Sequence, residues 1–101
     1  MTAYNIVRFR VKAGQQQAFE DRNRAMDRNM KGLHKVALVK TGTTTYCLIG
    51  EWDSFEDIAD ARPRMIQILD SFRDLLEDLG GGLGVTYAVS GEAVVEIHPK
   101  P

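Results

Sequence analysis

A chain of 101 residues, 44% hydrophobic and 27% charged, has the size and make-up of one domain with one core. Its 13 lysines and arginines nearly balance 14 aspartates and glutamates, so no global field draws in nucleic acid or an anionic membrane, and neither is expected as a partner. A lone cysteine, Cys47, excludes an intrachain disulfide framework. With no basic-then-apolar leader and no apolar run of the roughly 18–20 residues that cross a bilayer, a cytoplasmic location is expected.

The hydrophobic period starts at two. From Tyr4 to Lys12, Asn5, Val7, Phe9 and Val11 share one face, and Tyr4, Ile6, Arg8 and Arg10 the other, as in a half-buried strand. Lys12-Ala13-Gly14 breaks it. From Gln15 the apolar positions Phe19, Met26, Met30 and Leu33 recur at helical spacing, and Gly32 offers a left-handed stop, which predicts a first helix up to that glycine. Leu33 to Lys40 and Thr44 to Trp52 are rich in β-formers around a Thr41-Gly42-Thr43 turn and predict a hairpin.

Ser54, followed three residues later by Asp57, has the form of a capping box and opens the second helical region. Pro63 lacks an amide donor and clashes with the preceding turn, which predicts a short helix to about Ala61 and a longer one from Pro63 to Leu79. Met65, Ile66, Leu69, Phe72, Leu75, Leu76 and Leu79 give it an apolar stripe, and Gly80-Gly81-Gly82 ends it. Val85 to Val89 and Ala93 to Ile97 read as one strand interrupted at Ser90-Gly91, or as two. The order is β-α-β-β-α-β over a single domain, 1–101, with 98–101 as tail. This is an α+β, ferredoxin-like arrangement: a four-stranded antiparallel sheet with both helices on one face. The other face would carry Tyr4, Ile6, Arg8 and Arg10. It is amphipathic enough to predict a homodimer, with Ala93 to Ile97 available to pair with the partner's edge.

The segment Ile49-Gly50-Glu51-Trp52-Asp53-Ser54-Phe55-Glu56 resembles the strand-end tryptophan followed by a capped helix in the antibiotic biosynthesis monooxygenase superfamily, the dimeric α/β-barrel proteins. The resemblance in topology covers about residues 4 to 97. It implies a homodimer with sheets packed face to face and a pocket in each protomer between sheet and helices. In some members it also implies oxygenation of an electron-rich aromatic such as an anthrone without metal or flavin, and in others haem degradation or quinol oxidation. The chain departs from that pattern. Four residues before Trp52 the quinone-forming members resemble one another in an asparagine, where this chain has Leu48, and six after it in a tyrosine, where it has Ile58. The haem-degrading members use a histidine in the long second helix, and from Ser54 to Leu79 there is none. No cofactor or metal is therefore expected.

Three residues are candidates for chemistry. Trp52 ends a strand that carries Tyr46, Leu48 and Gly50 on the same side, so it can wall a pocket and donate one hydrogen bond, or simply anchor the core. Asn5 shares the helix-facing side with Val7 and Phe9, where an amide must be paired; it resembles a first-strand asparagine of haem-degrading relatives, though its spacing to the following Lys-x-Gly differs, or is an amide bonded to backbone or water. Arg22 and Asn23 fall between Phe19 and Met26, so one of them points inward; an arginine there could hold a carboxylate or phenolate, or lay its stem on the core with its head in water. Asn23, Met26, Tyr46, Leu48, Arg62 and Met65 are the expected pocket lining, Arg62 and Arg64 forming a basic mouth around Pro63.

Other features read as ordinary. His34 and His98 make no convergent metal pair, although His34 could carry a proton. Cys47 lies on the opposite face from Tyr46 and Leu48 as a small hydrophobe. Gly80-Gly81-Gly82-Leu83-Gly84 lacks the lysine and hydroxyl of a phosphate loop. The sequence thus points to a cofactor-independent monooxygenase-like enzyme acting on a small aromatic or polyketide-like substrate, with a non-catalytic ligand binder or a dimeric interaction domain as alternatives. An RNA-recognition module shares the element order but not the aromatic and basic residues on the central strands.

Overall fold

The computed structural model describes residues 1–100; the last residue of the expected tail, Pro101, lies outside them. The chain forms β1 (Ala3–Arg10), α1 (Gln16–Ala25), β2 (Leu33–Lys40), β3 (Thr45–Trp52), α2 (Phe55–Asp70), a short 3-10 helix (Arg73–Leu75) and β4 (Tyr87–Glu92). The strands make one antiparallel sheet in the order β2-β3-β1-β4. That is the predicted ferredoxin-like topology, and no helix among the described residues is long and apolar enough to cross a membrane.

Register follows from the alternation in β1. Asn5 lies opposite Gly50 and Ser90, Val7 opposite Leu48 and Ala88, and Phe9 opposite Tyr46, all on the face that the helices cover. On that face the core falls into two clusters. The larger joins Phe9, Val11, Phe19, Tyr46, Ile68, Phe72, Leu75 and Leu76; the smaller joins Ala3, Trp52 and Ile58. Phe19 holds α1 to the larger one: its ring stacks on Phe72 at 5.3 Å and meets Tyr46 at 4.9 Å and Phe9 edge-on at 5.5 Å.

The structure corrects three sequence-based expectations. First, α1 stops at Ala25, short of Gly32. Met26 turns extended, and the Arg28 guanidinium reaches back to donate to the Asn23 carbonyl at 2.8 Å, filling one of the acceptors that a helix end leaves open. Gly32 instead turns the chain into β2 at φ +83°, and a Cβ there would lie 2.2 Å from the Asp57 carboxylate. Second, α2 runs unbroken through Pro63 and ends at Asp70, with Ser71 as its cap. The lost bond is to the carbonyl of Ala59; both residues are exposed, so water can serve that carbonyl. Ser54 caps the start as expected, its Oγ accepting from the Asp57 amide at 3.2 Å. Leu75 and Leu76 are buried, but beyond α2: the segment docks on the end of β1, where Lys12 N–H donates to the Leu75 carbonyl and Glu77 N–H to that of Arg10, each at 2.8 Å. Third, β4 passes straight through Ser90-Gly91, because those residues pair with Asn5 and Tyr4. Ala93 to Ile97 forms no strand, and Val94 and Ile97 are 84% and 78% exposed.

Phe19→Ala should destabilise the domain by about 3–5 kcal/mol, as for other buried Phe→Ala changes. Urea unfolding measures it, and a loss below about 1 kcal/mol, the size of an ordinary surface change, would show that the aromatic cluster does not hold α1.

Candidate functional site

Between the two core clusters, where α2 stands off the sheet, lies a cavity of about 380 Å³. Val7, Phe9 and Leu48 form its floor, and Ile58, Met65, Leu69 and Phe72 its roof; Thr86, Ala88, Val89 and Ser90 close one side, with Ile66 and Arg62 exposed at the rim. Its wall is mainly apolar. Asn5 supplies an amide, and Arg28 and Arg62 supply guanidiniums; among the described residues no carboxylate lines it.

Asn5 is held by Trp52. The indole Nε1 donates to the Asn5 Oδ1 at 2.7 Å, with Trp52 and Asn5 only 1% and 7% exposed. The two are diagonal neighbours across β1 and β3, since Asn5 faces Gly50 and Trp52 faces Ala3. Because an indole N–H can only donate, the amide oxygen must be the end that meets it, and the NH₂ is the end left over. That group lies 3.9 Å from the Met65 sulfur, at the cavity wall. In an apolar surround such an oriented donor favours a carbonyl or an anionic oxygen more than it would in water.

Several expected residues stand elsewhere. Trp52 sits behind Asn5 in the smaller core cluster and is not in the cavity wall. Arg22 is on the surface, where its Nη1 donates to Asp74 at 2.9 Å and to the Ser71 carbonyl at 3.1 Å, tying α1 to the chain after α2 and holding the Asp74 carboxyl below its usual range. Met26 packs against the larger cluster without lining the cavity. Leu48, Arg62 and Met65 do line it. Asn23 and Tyr46 line a second, polar cavity of about 340 Å³ between α1 and the β2-β3 hairpin. There Tyr46 donates to Glu20 at 2.6 Å, and burial, then that bond, push its phenol up to about 12, so it stays protonated and a donor. His34 is exposed and bonds Asp53; Cys47 pairs with Arg8 on the uncovered face. No cluster of three or more His, Cys, Asp or Glu able to hold a metal ion occurs among the described residues.

Arg28 is the residue that sequence reasoning missed. Read as part of a helix running to Gly32, it lies nine residues past Phe19, about two and a half turns, on the solvent side. With α1 ending at Ala25, the chain doubles back and Arg28 turns inward. Its Nη2 donates to the Asn23 Oδ1 at 2.6 Å, and burial, then the nearby Arg64, lower its pKa.

Gly50 makes the Trp52–Asn5 contact possible, since a Cβ at that position would stand 2.2 Å from the Asn5 Oδ1 and 2.9 Å from the Trp52 Nε1. Gly50→Ala should therefore cost about 2–4 kcal/mol, combining overpacking with a broken buried hydrogen bond. It should also shift the emission of the sole tryptophan to the red. Unchanged melting temperature and emission would mean that the neighbouring strands give way freely.

Comparison with known proteins agrees with this architecture. The family model described as "Antibiotic biosynthesis monooxygenase" matches residues 2–64. No curated protein matches the sequence. Among solved structures, one is a protein of Nitrosomonas europaea described as a candidate antibiotic biosynthesis monooxygenase; it superposes with a TM-score of 0.74 at 15% identity, over 92% of this chain and 90% of its own. The monooxygenase from the gene ActVA-Orf6 of Streptomyces coelicolor, solved with Nanaomycin D, gives 0.69 at 20% identity over 97% and 92%. SnoaB, a cofactor-independent oxygenase from Streptomyces nogalater, gives 0.69 at 15% identity over 95% and 96%. These likenesses are to the fold, while the family match spans more than half of the chain. With the strand-end Trp52, the capped α2 and the cavity beneath it, the match shows that the chain belongs to the antibiotic biosynthesis monooxygenase family.

Proposed function

We propose that the protein is a cofactor-independent monooxygenase-like enzyme acting on a small aromatic or polyketide-like substrate. The observation that carries this reading is the mainly apolar cavity of about 380 Å³ with one buried amide donor, that of Asn5, oriented at its wall. A cavity of that volume suits a few fused rings. Two of the structural neighbours are described as a monooxygenase bound to Nanaomycin D and as a cofactor-independent oxygenase, which supports the same substrate class.

In this reading the substrate supplies the reducing electrons. An anthrone-like methylene is acidified by its carbonyl; with no carboxylate among the described lining residues its proton passes to a water at the exposed rim, and the carbanion then passes one electron to dioxygen. The carbon radical and superoxide combine to a peroxide, which takes up a proton. Loss of water then turns CH₂ and O₂ into C=O and H₂O. The Asn5 amide would donate to the enolate oxygen and favour the ionised substrate, and the apolar wall would exclude bulk water. Trp52 acts as a positioning residue here, because its indole fixes which end of the amide faces the ligand. A haem held in the manner of the haem-degrading relatives does not fit, because neither His34 nor His98 lines the cavity.

A non-catalytic ligand binder is the second reading. It is favoured by the indole N–H being spent on Asn5 and by Leu48 and Ile58 standing where the quinone-forming relatives carry polar groups. Oxygen uptake with an anthrone or a naphthohydroquinone separates the two. The monooxygenase reading expects turnover that Trp52→Phe lowers about tenfold in kcat with KM little changed, as when an interaction made in the transition state is lost. Uptake no faster than the buffer rate across such a panel would leave the binder.

We also propose that the chain is a homodimer through the uncovered sheet face. Ala37, Ile49, Ile6 and Val89 form an apolar row across all four strands, flanked by Val39, Cys47 and Tyr87. Val94, Val95 and Ile97, which follow β4 in the chain, are exposed as well. Light scattering should give about twice the 11.3 kDa chain mass, and Ile6→Lys should halve it. A monomer at micromolar concentration would rule the dimer out.

A further inference from the structure

Arg28 stands in the wall common to both cavities, with Val36 and Leu48. It is half-buried, and among the described residues it has no carboxylate within ion-pair distance. Two of its five N–H donors are committed, one to the Asn23 carbonyl and one to the Asn23 side-chain oxygen. Among the described residues the other three have no protein acceptor.

The neighbouring charges add to this imbalance. Arg62 lines the same cavity, and Arg64, anchored by its bond to the Asp27 carbonyl at 3.0 Å, lies close enough to repel Arg28. A helix end needs only a surface lysine or arginine to meet its last carbonyl. Drawing a guanidinium into a mainly apolar wall beside a second one costs stability that this role does not explain, whereas an anion at the same place would offset it. The second cavity is polar and carries Arg28, Lys40 and Arg24, the last paired with Asp21 at 2.8 Å, against the single carboxylate of Glu20, one of whose two oxygens accepts from Tyr46. It suits the charged end of a molecule as the first suits the ring.

We propose that the ligand is an aromatic carboxylate, with its rings in the apolar cavity and its carboxylate on the free donors of Arg28, pointing towards the polar cavity. This rests on reading the apolar cavity as a small-molecule site. It adds an anionic group, and a residue that recognises it, to the substrate class. The planar fork of a guanidinium matches a carboxylate by two parallel hydrogen bonds, which a lysine cannot reproduce.

The test is calorimetric titration of the full-length protein with 2-naphthoate and with its neutral isostere 2-naphthamide. The acid should bind about tenfold or more tightly than the amide, the usual worth of a charge-assisted bond. Arg28→Gln should abolish that preference by weakening the acid far more than the amide, and Arg28→Lys should keep only part of it. Equal binding of acid and amide by the wild type, or an undiminished preference in Arg28→Gln, would overturn the proposal. Should Arg28→Gln unfold for want of its bonds to Asn23, the Arg28 Nε–H resonance of the wild type decides: it should move with the acid and not with the amide, and a resonance indifferent to both overturns the inference. Oxygen uptake from an uncharged anthrone without any acid preference would sink this inference and spare the monooxygenase reading; acid preference without any oxygen uptake would do the reverse. Binding of neither probe would count against both.

Discussion

The space that Gly50 leaves on the covered face of the sheet lets the Trp52 indole cross from β3 to the Asn5 amide on β1. Much of the site depends on that buried bond. It satisfies two polar groups that burial would otherwise leave costly and removes the freedom of the amide to flip. It also joins the floor of the cavity to the smaller core cluster, in which Trp52 packs with Ala3 and Ile58 beneath the start of α2. A side chain at Gly50 would separate the pair and leave a rotating amide at the wall.

The cavity exists because α2 is held at its two ends by different cores. Near its start, Ser54 caps the helix and Ile58 packs on Trp52; near its end, Ile68 and the following Phe72 join the aromatic cluster around Phe19. Between those anchorages Met65, and beside the second one Leu69, line the cavity above Val7 and Leu48. Arg22 and Asp74 strap α1 to the chain after α2 at the surface and have no part in the cavity. Charge within the site is one-sided: amide and guanidinium donors face an apolar interior without a lining carboxylate, an arrangement that suits electron-rich or anionic oxygen.

The local pattern of the chain was enough to reach the fold. Alternation in β1 assigned Asn5, Val7 and Phe9 to the covered face, the Thr41-Gly42-Thr43 turn set the hairpin, and Ser54 marked the start of α2; each is a property of a few consecutive residues. The same patterns, with the strand-end Trp52, also carried the family resemblance that the match over residues 2–64 bears out.

Tertiary structure decided what depends on residues distant in sequence. Whether Pro63 breaks α2 depends on the exposure of Ala59, and whether Ser90-Gly91 interrupts β4 on pairing with Tyr4 and Asn5 across the sheet. Trp52 has the same strand-end position whether it lines a pocket or stands behind Asn5; the choice fell to a diagonal contact and to Gly50. Helical spacing puts Arg22 near the Phe19 side and Arg28 opposite it, and this order reverses only once the end of α1 is known. That end is set where Arg28 itself folds back on Asn23, a contact that helical periodicity cannot contain. The sequence by itself therefore determined the order of elements and the faces they bury, through short-range periodicity and turn chemistry; the direction of each polar side chain at the cavity required the packed chain, because partners far apart in sequence set it.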